Sequence, residues 1–414
     1  MSIFNINILN LFSRKKSPCT SNIVDANIPA AAATTPVAKP AAPENAPAVD
    51  GDLITVYDGM GKAQPIHRNN AVADGREGTV YSLPKRDDVL VKLYKPALLN
   101  DADKLEQNLK RLTAMCKIRD QISPRCTTAK KSFAWPVTLV FDRNRQIIGF
   151  GMCKCDGVSF RTLGNVKKIQ QYFPRWTRRE LALTALDFVR KLKFLYSHGV
   201  LVNDFNPSNF LVDENCNVSF IDCDSFQITY GNETHITRTY IASHCAPELL
   251  KNKPLLATPR NIHHLEFGAA ITIFNLLMCG LHPYAYHDPS GKTICGNPEE
   301  NLLNGRCPLG VGAGCKFPVG NWYNLWSWIS HNAKGGFIKT FQNGHSDPAM
   351  RTTLDEWEGC LIEMISLMNK YPERSALFPL VPNPAAMARK SSSYNGKNHQ
   401  QSGSVPGKQH IVNL

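Results

Sequence analysis

Short apolar runs separated by turn residues fill residues 52–155: LITVY, GTVYSL, VLVKLY, VTLVF and IIGFGM, each β-branched and aromatic enough to read as a strand. The polar DRNRQ between the last two predicts a hairpin. One stretch breaks the alternation. Leu105, Leu109 and Leu112 recur at helical spacing, with Asn100 placed to cap that helix. Beyond residue 156 the period changes. Thr177 with Glu180 three residues later is a capping-box signature. Leu181, Phe188, Leu192 and Leu195 follow on one helix face, and Gly199 ends the helix. Further helices are expected around 263–280 and 353–369. A second hairpin is expected where FLV and VSFI flank DENCN, at 210–221. The pattern predicts an α+β chain, a small β-rich lobe followed by a larger helical one. A cleft between two such lobes is the default place for a ligand.

The ends of the chain differ from this middle. Residues 28–48, IPAAAATTPVAKPAAPENAPA, cannot bury enough surface to fold. Residues 1–50 are therefore expected to be a disordered leader and flexible tether, 51–155 the first lobe, 156–375 the second, and 376–414 a loose polar tail. The leader MSIFNINILNLFSRKK, residues 1–16, has two readings. It is a disordered start, or it is an address that makes weak contact with a membrane or with secretion machinery. The run GAAITIFNLLMCGL at 268–281 is shorter than the roughly 20 residues needed to cross a bilayer and reads as a buried core helix, so no transmembrane segment is expected.

Composition narrows the partners. With 414 residues and 43% apolar side chains, the chain can build one large or two ordinary cores. Its net charge of +13 suits acidic ligands, but the basic residues are scattered with no long aromatic-interleaved run, so no nucleic acid is expected. The 13 cysteines are odd in number and irregular in spacing. They form no zinc pattern and are expected as reduced thiols in a cytosol. The expected location is cytoplasmic, or a host cell if the leader exports the chain as an effector.

The chemistry concentrates in NDFNPSNFLVDENCNVSFIDCDSF, residues 203–226. The two strands would place Asp204 and Asn209 before the hairpin and Asp222 after it, so that three oxygen-bearing side chains converge. Hard cations such as Mg²⁺ take oxygen ligands, usually one or two carboxylates together with phosphates. An Asp free of the metal can accept a proton from an attacking hydroxyl. Asp and Asn also crowd ordinary turns, which is the plainer reading. Lys92 is harder to read plainly, because a charge inside an apolar strand is costly unless paired.

Taken in order, DFNPSN (204–209), Asp222 thirteen residues on, GREGTVY (75–81), Lys92, Ala246-Pro247-Glu248 and RTTLDEWEGCL (351–361) resemble the protein-kinase superfamily over roughly residues 52–370. The resemblance implies a bilobal protein-kinase-like fold. It implies transfer of the γ-phosphate of ATP, with Mg²⁺, to Ser or Thr of a protein substrate or of the chain itself. On this resemblance Asp204 is the catalytic base, and Asn209 and Asp222 hold Mg²⁺. Gly75, Gly78 and Val80 correspond to the second half of the glycine-rich loop, with Ala73 where the first glycine would stand. Lys92 contacts the α- and β-phosphates, and Glu106 is its ion-pair partner; the plainer reading of Glu106 is a surface pair with Lys110. An Arg351–Glu248 ion pair is expected as a structural element. His263, Leu265 and Gly268 stand at the positions of the D-x-W-x-x-G motif.

GREGTVY, NDFNPSN and IDCDSFQ further resemble the bacterial kinase-like proteins linked to tellurite-resistance loci and the helix-hairpin-helix kinases. Several residues depart from the general kinase pattern. Asn206 takes the catalytic-loop position where Ser/Thr kinases carry Lys, a weaker stabiliser of the moving phosphoryl group. Val202 and Asn203 replace the His and Arg before the catalytic Asp. Without that Arg, phosphorylation of Thr234, Thr237, Thr239 or Tyr240 is not expected to be needed for activity. Asp224 is expected to cap the next turn in preference to binding metal. Two other functions stay open: a nucleotide-binding pseudokinase, and a small-molecule phosphotransferase.

Overall fold

The expected strands at the N-terminal end build a single antiparallel sheet. They are β1 (Leu53–Tyr57), β4 (Gly78–Leu83), β5 (Arg86–Tyr94), β6 (Pro136–Phe141) and β7 (Ile147–Cys153), joined by two strands that were not expected, β2 (Ala63–His67) and β3 (Ala71–Asp74), in the spatial order β2-β1-β6-β7-β5-β4-β3. The structure is a computed structural model that describes residues 53–84, 86–122, 132–287, 296–310 and 316–385. The leader and tether expected at 1–50 and most of the expected tail lie outside these residues.

Alternation along β5 sorts its side chains to two faces. Val89, Val91 and Leu93 join Val56, Ile66, Tyr81, Leu83 and Val140 in one core. Tyr94 faces the other way, with Phe150, Met152, Ala134 and Leu112. Each fully buried aliphatic side chain contributes about 1.5–3 kcal/mol. DRNRQ turns as expected: Asp142 Oδ1 accepts from the Gln146 amide at 2.8 Å, and Arg145 takes the left-handed φ of 64°.

The helix that interrupts these strands, α1, spans Ala102–Ile122. Asn100 does not cap it. Pro96 starts its own short turn, Pro96–Leu99, and Asn100 closes that turn with its amide on Pro96 O at 2.9 Å. Asp101 Oδ1 instead accepts from the Lys104 amide at 3.2 Å. The buried face also differs from the expected leucine stripe. It is Asn108, Arg111, Leu112, Met115 and Ile118, while Leu105 and Leu109 are half-buried.

The remaining short strands are β8 (Val158–Ser159), β9 (Val200–Leu201), β10 (Phe210–Val212), β11 (Val218–Phe220), β12 (Gln227–Tyr230) and β13 (Glu233–His235). β10 and β11 form the expected hairpin, in the register Phe210↔Phe220. The chain falls into two compact units. One holds the described residues up to Val158 with Leu195–Val200 and Asn209–Thr237; the other holds Ser159–Phe194, Leu201–Ser208 and the described residues from Arg238 on. The hairpin belongs to the first unit because Phe220 exchanges backbone hydrogen bonds with Ser132 and Ala134, at 2.9 and 2.8 Å.

Helices dominate the second unit. The long ones are α2 (Arg178–Ser197), which runs on into the Leu195–Val200 segment, α3 (Ile262–Leu277) and α4 (Leu354–Lys370). At the start of α2 the Thr177 amide donates to Glu180 Oε2 at 2.8 Å, and the expected apolar face is fully buried. Gly199, at φ 73°, ends it. The fold is therefore α+β, a curled sheet in the N-terminal part and helices in the C-terminal part, in keeping with a bilobal kinase-like fold. Among the described residues no helix is long and apolar enough to cross a membrane. Eight described cysteines carry free thiols, but Cys153 is disulfide-bonded, a departure from the uniformly reduced state expected.

Gly268 of α3 has a packing reason to be glycine. A Cβ there would lie 2.4 Å from the ring of Phe205. Gly268→Ala is expected to destabilise the protein by about 1–3 kcal/mol through overpacking, read as a lower midpoint in thermal denaturation.

Candidate functional site

Register decides where Lys92 points. It stands opposite Val80 on β4 and Phe150 on β7, on the same face as Tyr94. A buried ammonium needs anions within reach, and two are present. Lys92 Nζ lies 2.8 Å from Asp222 Oδ1 and 2.9 and 3.0 Å from the two oxygens of Asp224. Both carboxylates come from the loop after β11. Asp222 adopts a left-handed φ of 56°, which Asp tolerates better than most residues, and opens the tight turn Cys223–Ser225. That turn brings residues 222 and 224 to the same side.

The two carboxylates differ. The Asp224 side chain is 3% exposed and that of Asp222 is 41% exposed. Burial pushes the Asp222 carboxyl up, but Lys92 outweighs burial and holds it below the usual range. Burial, with Asp222 nearby, leaves Asp224 above the usual range. Burial opposes the charge on Lys92, yet Asp224 and Asp222 reverse this and raise its pKa. The cap expected of Asp224 is not formed. Its side chain turns to Lys92, because a buried carboxylate gains more from a cation than from a turn amide.

Glu106 is not part of this cluster. It is exposed and pairs with Lys110 at 2.7 Å. The buried face of α1 is centred near Asn108 and Leu112, and Glu106 lies roughly 160° round the helix from Asn108 at about 100° per residue. What α1 does send inward is Arg111. Its Nε donates to the carbonyl of Asp224 at 2.9 Å, and its Nη2 to Asn108 Oδ1 at 2.7 Å. Asn108, Arg111 and Asp224 are the site residues that sequence reasoning missed or misplaced. The polar pair at 108 and 111, one turn apart beside Leu112 and Met115, was the available signal.

The glycine-containing turn is tight. The Gly75 amide donates to Gly78 O at 2.9 Å, and Asp74 accepts from Thr79 Oγ1 at 2.7 Å. A Cβ on Gly78 would come within 2.6 Å of Leu93 O, so the glycine permits close strand approach. Ala73 pairs with Val80 across β3 and β4. Asn209 is buried, and its carbonyl accepts from the Ile221 amide at 2.9 Å, which ties it to the residue before Asp222.

Asp204 and Asn206 belong to the second unit. Asp204 Oδ1 accepts from the Asn206 amide at 3.1 Å, and Asn206 Oδ1 from the Ser208 amide at 3.0 Å. These are two successive Asx turns. The intervening Phe205 is buried against Phe188 and Gly268. The expected Arg351–Glu248 pair is present and bidentate, at 2.9 and 2.7 Å.

Among the described residues no group of three or more His, Cys, Asp or Glu side chains gathers to hold a metal by itself. Mg²⁺ bound with phosphates needs only one or two carboxylates. The partly exposed carboxylate of Asp222, next to Lys92, fits that requirement.

The segment after the cluster is also pinned. Buried Thr237 donates its hydroxyl to Ser225 O at 2.7 Å.

No protein-family model matches the chain. Curated proteins named "Protein kinase YegI" from Escherichia coli O157:H7 and strain K12 are each 28% identical to it, over 236 and 237 residues, which is 56% of this chain and 34% of theirs. The pig protein named "Proto-oncogene serine/threonine-protein kinase mos" is 36% identical over 80 residues, 18% of this chain and 22% of its own. The chain thus spans about a third of the length of the YegI proteins. These similarities support a place in the protein-kinase superfamily.

Proposed function

We propose that the protein is a kinase that transfers the γ-phosphate of ATP, with Mg²⁺, to Ser or Thr of a protein, itself included. The observation that carries this reading is the buried Lys92 on β5, paired with the half-exposed Asp222 that follows the β10–β11 hairpin. Lys92 would bind the α- and β-phosphates. Asn209 and Asp222 would hold Mg²⁺, which when bound neutralises charge on the transferring phosphates. Gly75, Gly78 and Val80 would line the phosphate loop. Asp204 would accept the proton of the attacking hydroxyl, with Asn206 beside it. The similarity to the YegI proteins and the DFNPSN and IDCDSFQ segments support the reading, and those segments fit the tellurite-resistance-associated branch. On this reading the chain works in a cytoplasm, its own or, as an effector, a host's.

Asn206 favours a second reading, a nucleotide-binding pseudokinase, because its side-chain oxygen serves a turn and no cation stands at that position. Titration with Mg²⁺-ATP, followed by transfer assays with protein and small-molecule acceptors, separates the readings. A kinase labels the protein acceptor, and Lys92→Met abolishes labelling. ATP binding without transfer to any acceptor favours the pseudokinase, and labelling of the small molecule alone favours a phosphotransferase.

A further inference from the structure

Both carboxylate partners of Lys92 come from one tight turn. Asp224 gives it two oxygens, at 2.9 and 3.0 Å, and is almost completely buried. The turn is held in its own right. Arg111 of α1 grips the carbonyl of Asp224 at 2.9 Å and reaches that of Ile236 at 3.4 Å, while Asn108 orients the guanidinium from 2.7 Å. Thr237 closes the far end on Ser225 O at 2.7 Å. Helix α1 therefore contributes a cation and a carboxamide to this cluster, and its Glu106 is engaged with Lys110 on the surface.

We propose that Asp224, fixed by Arg111, is the positioning partner of Lys92, and that Glu106 has no part in holding it. The proposal rests on the reading of Lys92 as the phosphate-binding side chain. It has a mechanical consequence. A partner carried on a helix releases the lysine when the helix swings away. A partner two residues from Asp222, in the same turn, cannot leave unless that turn is unmade. Lys92 is thus assembled without an activating event, in line with the pinned segment 224–237. Asp224 acts through Lys92 and does not itself touch the nucleotide.

The test uses the full chain with Asp224→Asn, Arg111→Gln, Glu106→Gln, Lys92→Met and the Lys92→Met/Asp224→Asn double variant. KM for ATP, kcat and the half-saturating Mg²⁺ concentration are measured for the variants that keep Lys92, and the ATP dissociation constant is titrated for all five. Asp224→Asn is expected to raise KM for ATP about tenfold or more at unchanged Mg²⁺ half-saturation. Arg111→Gln moves KM the same way by less, and Glu106→Gln leaves it at the wild-type value. In the ATP dissociation constant, Asp224→Asn added to Lys92→Met costs nothing further, because the interaction is already gone.

A wild-type KM in Asp224→Asn, or a loss in Glu106→Gln, overturns the proposal. So does a shifted Mg²⁺ half-saturation with KM for ATP intact, which would make Asp224 a metal ligand. If the wild-type protein does not use ATP, the kinase reading fails separately, and amide hydrogen exchange decides the positioning claim. Faster exchange of β5 in Asp224→Asn but not in Glu106→Gln supports it; the same exchange in both overturns it.

Discussion

Asparagine in place of Asp222 is expected to lower phosphoryl transfer on the order of 10³-fold while leaving the protein folded. The substitution keeps the shape of the side chain and removes its charge. That charge lies 2.8 Å from Lys92 and is carried on the more exposed of the two acids. On the proposed kinase reading it is thus the carboxylate that serves a metal–nucleotide. Lys92 keeps Asp224 as a counter-ion, so the buried ammonium is not left alone and stability falls only modestly. Initial rates at varied ATP and Mg²⁺ read the first effect, and chemical denaturation the second. A variant with wild-type rates would remove Asp222 from the chemistry.

The second large effect is on stability. Arg351 is 1% exposed and makes four hydrogen bonds: two to the Glu248 carboxylate, one to His263 O at 2.9 Å and one to Gly344 O at 2.8 Å. Its guanidinium also lies over the Phe267 ring at 4.8 Å. Arg351→Met fills similar space but takes the guanidinium away from two carbonyls and from a largely buried carboxylate, which keeps His264 Nε2 at 3.4 Å. Removing one partner of a buried pair costs about 3–5 kcal/mol. Glu248 keeps some solvent contact, which places the expected loss near the lower end, about 3 kcal/mol by urea denaturation.

The same pair gives a pH dependence. Burial would push the Glu248 carboxyl up, but Arg351 overrides burial and holds it below its ordinary value of 4.5. A depressed folded value means the unfolded chain takes up protons first as pH falls. The pair's contribution is therefore complete above pH 4.5 and is lost as pH drops through the folded value. Arg351→Met should flatten that acid limb of the stability curve.

The two hairpins were legible because period-2 apolar runs flank residues that tolerate turns. DRNRQ supplied Asp142 and Arg145, and DENCN supplied Asp213, which accepts from the Asn215 and Asn217 amides at 2.9 Å. The Arg351–Glu248 pair came from motif order, and so did the choice of Asp222. The partner of Lys92 did not. Counting along α1 places Glu106 beside an apolar stripe, but the stripe that packs is set by Asn108 and Arg111, whose polar character makes them look exposed. Only their tertiary partners, a main-chain carbonyl and each other, make it favourable to bury them. Asp224 was misread for a related reason. An acidic residue in a turn has a cheap local use, and nothing local reveals that a lysine 132 positions away needs its charge. The cap of α1 slipped by one residue because Pro96 started a separate turn.

The central claim is most directly tested by incubating wild type and Asp204→Ala with Mg²⁺ and ATP labelled at the γ-phosphate, then counting label in protein. The account predicts incorporation by the wild type and almost none by Asp204→Ala. Equal incorporation by the two, or none by either, would contradict it.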